Sequence, residues 1–285
     1  MFGVALSAVS AFASAHGQYE VPFAAKAPVV DGVASPGEWD AALRIIGAGK
    51  PVDARRAEIA FAWDAGWLYV MAKSETAPRN RLVTTAESRP GSQRIVMDDS
   101  VELWFDPPKE LRSADETKRF GTFQIIVSHN GNVYGCHQSP GYGLQARDWK
   151  LDAMKKASVA TNDIWTLELA IPAKAFGLAR FEPMELPLLA VRNFRIQRGV
   201  QAPFLPPGGG FMDSAHYPKM RLSRGAKGST LDRRSVDLPP FEWKTPEACI
   251  VADLAGTGVA HGAVKGVKLP VPGSMVIRSK ATSKM

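Results

Sequence analysis

The feature that most constrains this 285-residue chain is its rhythm. Short runs that alternate polar and apolar residues recur, each cut off by turn residues, and no stretch keeps the spacing of a long amphipathic helix. Glu58-Ile59-Ala60-Phe61-Ala62-Trp63 alternates, Asp64-Ala65-Gly66 turns, and Trp67 to Ala72 returns, which predicts a β-hairpin. Val101 to Asp106 reads as a strand stopped by Pro107-Pro108. Phe123 to Ser128 runs into His129-Asn130-Gly131-Asn132, whose Asn-Gly step sends the chain back along Val133-Tyr134-Gly135. Ala157 to Thr161 and Trp165 to Ile171 pair across Asn162-Asp163. Pro172 opens and Gly177 closes a short helical turn, Leu188 to Ile196 is a late strand, and Met220-Arg221-Leu222 is a closing one. Each such strand has one apolar face to bury, and another sheet is what buries it. The predicted fold class is therefore all-β, an antiparallel β-sandwich of two sheets.

Composition agrees with a packed core: 45% of residues are hydrophobic and 22% charged, which excludes wholesale disorder. The formal charge of +7 is concentrated at one end. Residues 1–218 carry 23 basic and 23 acidic side chains, against 12 and 5 in residues 219–285. The tail lacks a dense Lys/Arg run or interleaved aromatics, so no nucleic-acid partner is expected. Cys136 and Cys249 are far apart and show no metal-type spacing.

Residues 1–15 are apolar and end in Ala13-Ser14-Ala15, the small-x-small pattern of a signal peptide, though without a basic start, so the leader reads as incomplete. That predicts an exported protein: secreted, periplasmic or at the cell surface. No later segment is apolar enough to be transmembrane. The main domain is read as residues 21–223 and a linker as 224–247, where the texture turns Arg/Lys/Ser-rich. Residues 248–285 open with the β-type run Ala248 to Asp253. They read as the start of a second, covalently linked and truncated β domain.

No catalytic constellation stands out: there is no Gly-x-Ser-x-Gly, no His-Glu-x-x-His and no phosphate loop ahead of a helix. Three stretches carry a family signal instead. They are Ala27-Pro28-Val29-Val30-Asp31-Gly32 with Glu38-Trp39; Ala62 to Val70; and Asp98-Asp99-Ser100-Val101-Glu102-Leu103-Trp104-Phe105-Asp106-Pro107. Trp165 to Pro172 and Arg192-Asn193-Phe194-Arg195-Ile196 continue it in order. Over roughly Val21 to Ser223 the chain resembles carbohydrate-binding module family 9, within the wider group of DOMON-like sandwiches.

The resemblance implies a non-catalytic module that binds a saccharide or glycan chain end and is often appended to a glycoside hydrolase, with structural calcium. It implies a sugar clamped between two tryptophan faces and oriented by polar side chains, since C–H faces of a pyranose stack on aromatic rings. Carried onto this sequence, Glu102 and Gln124 match sugar-contacting residues, and Asn193 and Arg195 alternate onto one face of the late strand beside them. The clamp departs from the pattern. Val96 stands where the first tryptophan is expected, and the late loop offers only Phe204 and Phe211 for the second. Ile126 replaces an arginine. Trp63, Trp104 and Trp165 are assigned to packing, and Trp39 to sealing the N-terminal segment.

For Ca²⁺, the carboxylates of Asp98, Asp99, Asp64 and Glu75 near strand ends are the candidate ligands, against the commoner role of Asp in capping turns. Two other readings stay open. One is a haem-binding electron-transfer domain using Met97 or Met71. The other is a structural domain whose sugar site has decayed.

Overall fold

The computed structural model describes residues 18–47, 57–76, 82–108, 122–138, 147–149, 151–161, 164–195, 200–211 and 213–233, with strand residues 249–253, 259–263 and 275–276. The leader segment lies outside them. Among the described residues, fourteen strands belong to the first compact unit, Met1–Val236. They are β1 (Gln18–Pro22), β2 (Leu43–Ile46), β3 (Ala57–Trp63), β4 (Trp67–Glu75), β5 (Ser100–Phe105), β6 (Thr122–Ser128) and β7 (Val133–Gln138), then β8 (Arg147–Asp148), β9 (Lys155–Ala160), β10 (Ile164–Pro172), β11 (Met184–Phe194), β12 (Val200–Pro203), β13 (Lys219–Ser223) and β14 (Ser229–Asp232). The second unit, Asp237–Met285, contains β15 (Cys249–Asp253), β16 (Val259–Ala263) and β17 (Met275–Val276) in one sheet, with β15 central. Among the described residues no helix is long and apolar enough to cross a membrane.

The first unit is a sandwich. One sheet runs β1-β13-β11-β5-β6-β7-β8, with β12 also paired to β11, and the other runs β14-β2-β3-β4-β10-β9. The hairpins read from sequence are present: β3 pairs antiparallel with β4, β6 with β7, and β9 with β10. Gly131 takes φ 81 in the β6–β7 turn, a left-handed conformation that favours glycine. The sheets are mixed, however, and not purely antiparallel. β1 lies parallel to β13, and β14 parallel to β2, because chain ends far apart in sequence close the sheet edges and have ample connecting chain to do so.

Alternation divides every strand between core and outside. Ile59, Phe61, Trp63, Val70, Leu103, Phe105, Phe123, Ile125, Leu167, Leu169 and Leu188 belong to one cluster between the sheets. Trp63 and Trp165 are buried within it, as packing residues.

One charged side chain also points inward. Arg192 sits in register with Val101, is 1% exposed, and pairs with the equally buried Asp99 at 2.9 Å. Its guanidinium stacks on Trp165 (4.6 Å) and Phe194 (4.4 Å), and its Nε donates to Ser74 Oγ at 3.2 Å. Ser74 and Trp165 belong to the opposite sheet, so the cation ties the two layers together.

The outer face of the smaller sheet is sealed by the segment before β2. Ala60, Ala62 and Ala170 leave room for Trp39 to lie against that face. Glu168, fully buried there, accepts from the backbone N–H groups of Asp31 (3.0 Å) and Gly32 (2.8 Å) and from Trp39 Nε1 (3.1 Å).

Two outcomes follow from these buried charges. Asp99→Ala strands the Arg192 cation and is expected to lower the unfolding free energy by about 3–5 kcal/mol, read from urea denaturation. Burial lifts the Glu168 carboxyl above its ordinary range, against the pull of its three donors. A group with a raised folded-state pKa contributes most below its unfolded value and less as pH rises through the folded one. This contribution should therefore decline as pH climbs from about 4.5, the ordinary carboxyl value. Thermal unfolding of wild type and Glu168→Gln across pH 3–8 checks it, the variant lacking that slope.

Candidate functional site

Polar side chains gather on the outward face of the larger sheet. Along β5, Val101, Leu103 and Phe105 enter the core, so Ser100, Glu102 and Trp104 point outward. Antiparallel register sets Trp104 opposite Gln124 on β6 and Leu189 on β11. It also sets Glu102 opposite Ile126 and Val191, and Ser100 opposite Asn193.

Those neighbours close a hydrogen-bond network around one carboxylate. Glu102 Oε1 accepts from Trp104 Nε1 (2.8 Å) and Gln124 Nε2 (2.7 Å), and Oε2 accepts from Asn193 Nδ2 (3.1 Å). Asn193 Nδ2 also reaches Ser100 Oγ at 3.1 Å, and the Cys136 thiol donates to Gln124 Oε1 at 3.2 Å. Glu102 is 2% exposed, and Gln124 and Asn193 are buried with it. Three N–H donors to one carboxylate give charge-assisted bonds strong enough to hold the anion away from water. Among the described residues, two polar atoms beside the network have no protein partner: Asn193 Oδ1, an acceptor, and Arg195 Nε, a donor.

Two covers bury this face. On the β7 side, the single turn Gln93–Met97 lays Ile95 onto Ile126, Tyr134 and Cys136, with Val96 packed beside it. Arg195 is half-buried by it and donates through Nη2 to the Val96 carbonyl. Desolvation lowers the Arg195 pKa, partly offset by Glu102, Asp99 and Asp98. On the β11 side, Phe211 and Tyr217 pack on Trp104, Leu189 and Val191. The Tyr217 hydroxyl donates to the Phe211 carbonyl, and burial raises its pKa, with Asp106, Glu102 and Asp213 adding to the shift.

The structure thus brings together Glu102, Gln124 and Asn193, with Arg195 and Phe211 at their margins. Phe204 goes elsewhere. It is 1% exposed in the core, because its chain neighbour Ala202 pairs with the inward Arg192 and the same parity turns Phe204 inward. Trp104 packs as expected, but on the outer face, where its indole also holds Glu102. Tyr217 was not among the sequence candidates. Its signal was an aromatic followed by Pro218 just ahead of the closing strand, a position that reads as loop.

The four carboxylates proposed for Ca²⁺ do not form one site. Asp98 accepts from Thr85 N (2.7 Å), Thr85 Oγ1 (2.9 Å) and Ser88 Oγ (2.5 Å). Asp99 accepts from Arg192 and from Val83 N at 2.7 Å. Asp64 caps its own hairpin turn through Gly66 N and Trp67 N and accepts from the Tyr69 hydroxyl. Glu75 stands at the far end of β4 from that turn. Among the described residues, no three His, Cys, Asp or Glu side chains are grouped to hold a metal ion, so this donor arrangement does not fit one. Nor do Met71 and Met97 share a pocket: Met71 packs on the outer face of the smaller sheet, and Met97 ends the turn over the larger one.

No family model matches the chain, and no curated protein does. Solved structures do. A candidate carbohydrate-binding protein from Bacteroides uniformis superposes with a TM-score of 0.54 at 13% identity, over 72% of this chain and 97% of that one. The chain has that protein's fold. Two structures of a family 9 carbohydrate-binding module from Caldicellulosiruptor kristjanssonii also match. The one with cellotriose has a TM-score of 0.47, 15% identity and coverage of 79% and 100%. The one with glucose has 0.49, 16%, and 74% and 97%.

Removing the hub of the network should cost stability as well as any ligand contact. Glu102→Ala takes away the acceptor shared by Trp104, Gln124 and Asn193 and is expected to lower the unfolding free energy by about 2–4 kcal/mol, measured by chemical denaturation at pH 7.

Proposed function

We propose that this chain is a non-catalytic carbohydrate-binding module that takes a saccharide or glycan chain end on the outward face of its larger sheet, as one part of an exported polysaccharide-degrading or cell-surface protein. The observation that carries the reading is the Glu102–Gln124–Asn193 network. An outward sheet face ordinarily meets solvent, and here it instead holds a buried carboxylate with convergent amide groups. Such groups suit hydroxyl recognition, because each sugar hydroxyl both donates and accepts. Aromatic surface stands beside them in Phe211. The Bacteroides uniformis structure of the same fold, described as a carbohydrate-binding protein, supports the same reading.

A catalytic role gains no support from the geometry. Glu102 is held by Trp104, Gln124 and Asn193 and, among the described residues, no second carboxylate joins its network, whereas glycoside hydrolysis uses a pair flanking the bond.

The test is titration calorimetry of the chain with glucose and cellotriose, backed by a glycan array. Wild type should bind at least one neutral saccharide, and Glu102→Gln, which keeps the side chain's size but loses an acceptor, should weaken it by about tenfold or more. Absence of binding to every saccharide, in wild type and in a folded Tyr217→Ala variant that uncovers Trp104, overturns the reading.

A further inference from the structure

The Glu102 face is filled by a residue of the chain itself. We propose that Tyr217 is a built-in occupant of this face, sitting where a saccharide ring would lie, so that ligand and tyrosine compete for one place; this rests on the reading of the face as a saccharide site.

Tyr217 is 2% exposed and packs on Trp104, Leu189 and Val191, the apolar strip beside Glu102. It presents a flat ring with a hydroxyl at its rim, which donates to the Phe211 carbonyl and bonds the Thr122 side chain. In shape and polarity that is a fair imitation of a sugar lying on the sheet.

The way the two sheets hold their buried carboxylates separates a movable cover from a fixed one. Glu168 takes two of its three bonds from the backbone of the segment covering it, so lifting that segment would strand the anion. Glu102 takes all three from side chains on the sheet, namely Trp104, Gln124 and Asn193. Tyr217 can therefore leave without unpairing the carboxylate.

The closed arrangement also leaves work undone. Among the described residues, Asn193 Oδ1 is fully buried and lacks a donor. A ligand hydroxyl supplies that donor. The connection bearing Tyr217 suits release: Pro206, Gly208, Gly209, Gly210, Asp213 and His216 are exposed, and Ser214 Oγ donating to Asp106 Oδ2 at 2.7 Å is one of its few ties to the sheet.

A site that must first expel its own occupant binds with its intrinsic affinity reduced by the open fraction. Tyr217→Phe keeps the ring and the packing but removes the hydroxyl's bonds, and Tyr217→Ala removes the ring. Calorimetric titration of wild type and both variants with glucose and cellotriose, with thermal unfolding as the check on folding, reads the effect. Affinity should rise about tenfold in Tyr217→Phe, the loss of the hydroxyl's two bonds from the closed state, and further in Tyr217→Ala. Binding that appears only in the variants supports the proposal equally. Equal affinity in wild type and Tyr217→Phe overturns it while leaving the saccharide site standing. Weaker binding in folded Tyr217→Ala also overturns it, by making the ring a platform. No binding by any of the three overturns the site itself and the occupant with it.

Discussion

The Arg192–Asp99 pair is the constraint on which the rest of the sandwich turns. A guanidinium between two sheets is tolerated only with its charge matched and its faces covered, and Asp99, Trp165 and Phe194 do both. The pair also fixes register. Asp99 immediately precedes β5, and Arg192 lies opposite Val101, so the neighbouring residues Ser100 and Asn193 must face each other on the outside, and Glu102 must fall beside them. Slipping β5 by one residue would carry Glu102 into the core and Val101 outward. The inner ion pair and the outer network are two sides of the same two strands.

Each sheet of the sandwich hides one carboxylate on its outward face, and the two solutions differ in kind. The smaller sheet uses small residues, so that a chain segment can approach closely and satisfy Glu168 with backbone N–H groups. The larger sheet satisfies Glu102 from within and is then covered by apolar groups, Ile95 from one side and Phe211 with Tyr217 from the other. The first face is closed by directional bonds from its cover. The second is closed chiefly by packing, which a ligand of similar shape can replace.

Much of this was legible in residues. The alternation Val101-Glu102-Leu103-Trp104 faces Glu102 outward whatever it pairs with, and the Asn130-Gly131 step sets the hairpin that brings Gln124 and Cys136 opposite each other. The same parity that puts Asn193 and Arg195 outside puts Arg192 inside, and a charge at a core position implies a buried partner. Other features had no local signal. β11 begins at Met184, but Pro187 within it masks the first residues as loop. The edge strands β1 and β14 depend on parallel partners more than 180 residues away in sequence. Phe204 and Phe211 are both phenylalanines in one Pro/Gly-rich stretch, and only the pairing of β12 with β11 sends the first inward while the second stays out. Tyr217 had the least signal of all, since its place is set by where β13 docks.

The two covers also bear on what the face could hold. One cover consists of Ile95 and Val96, and the other of the aromatics Phe211 and Tyr217. A sugar admitted here would stack against Phe211 once Tyr217 had swung aside. With one stacking surface instead of two, apolar contact can orient a ligand but holds it less tightly. More of the selectivity then falls to Glu102, Gln124 and Asn193, whose mutual hydrogen bonds fix their directions before any ligand arrives. A preorganised polar triad beside a single aromatic wall favours recognition of a hydroxyl pattern over recognition of ring area. Ligands that differ in the configuration of one hydroxyl should therefore be told apart more sharply than ligands that differ in length.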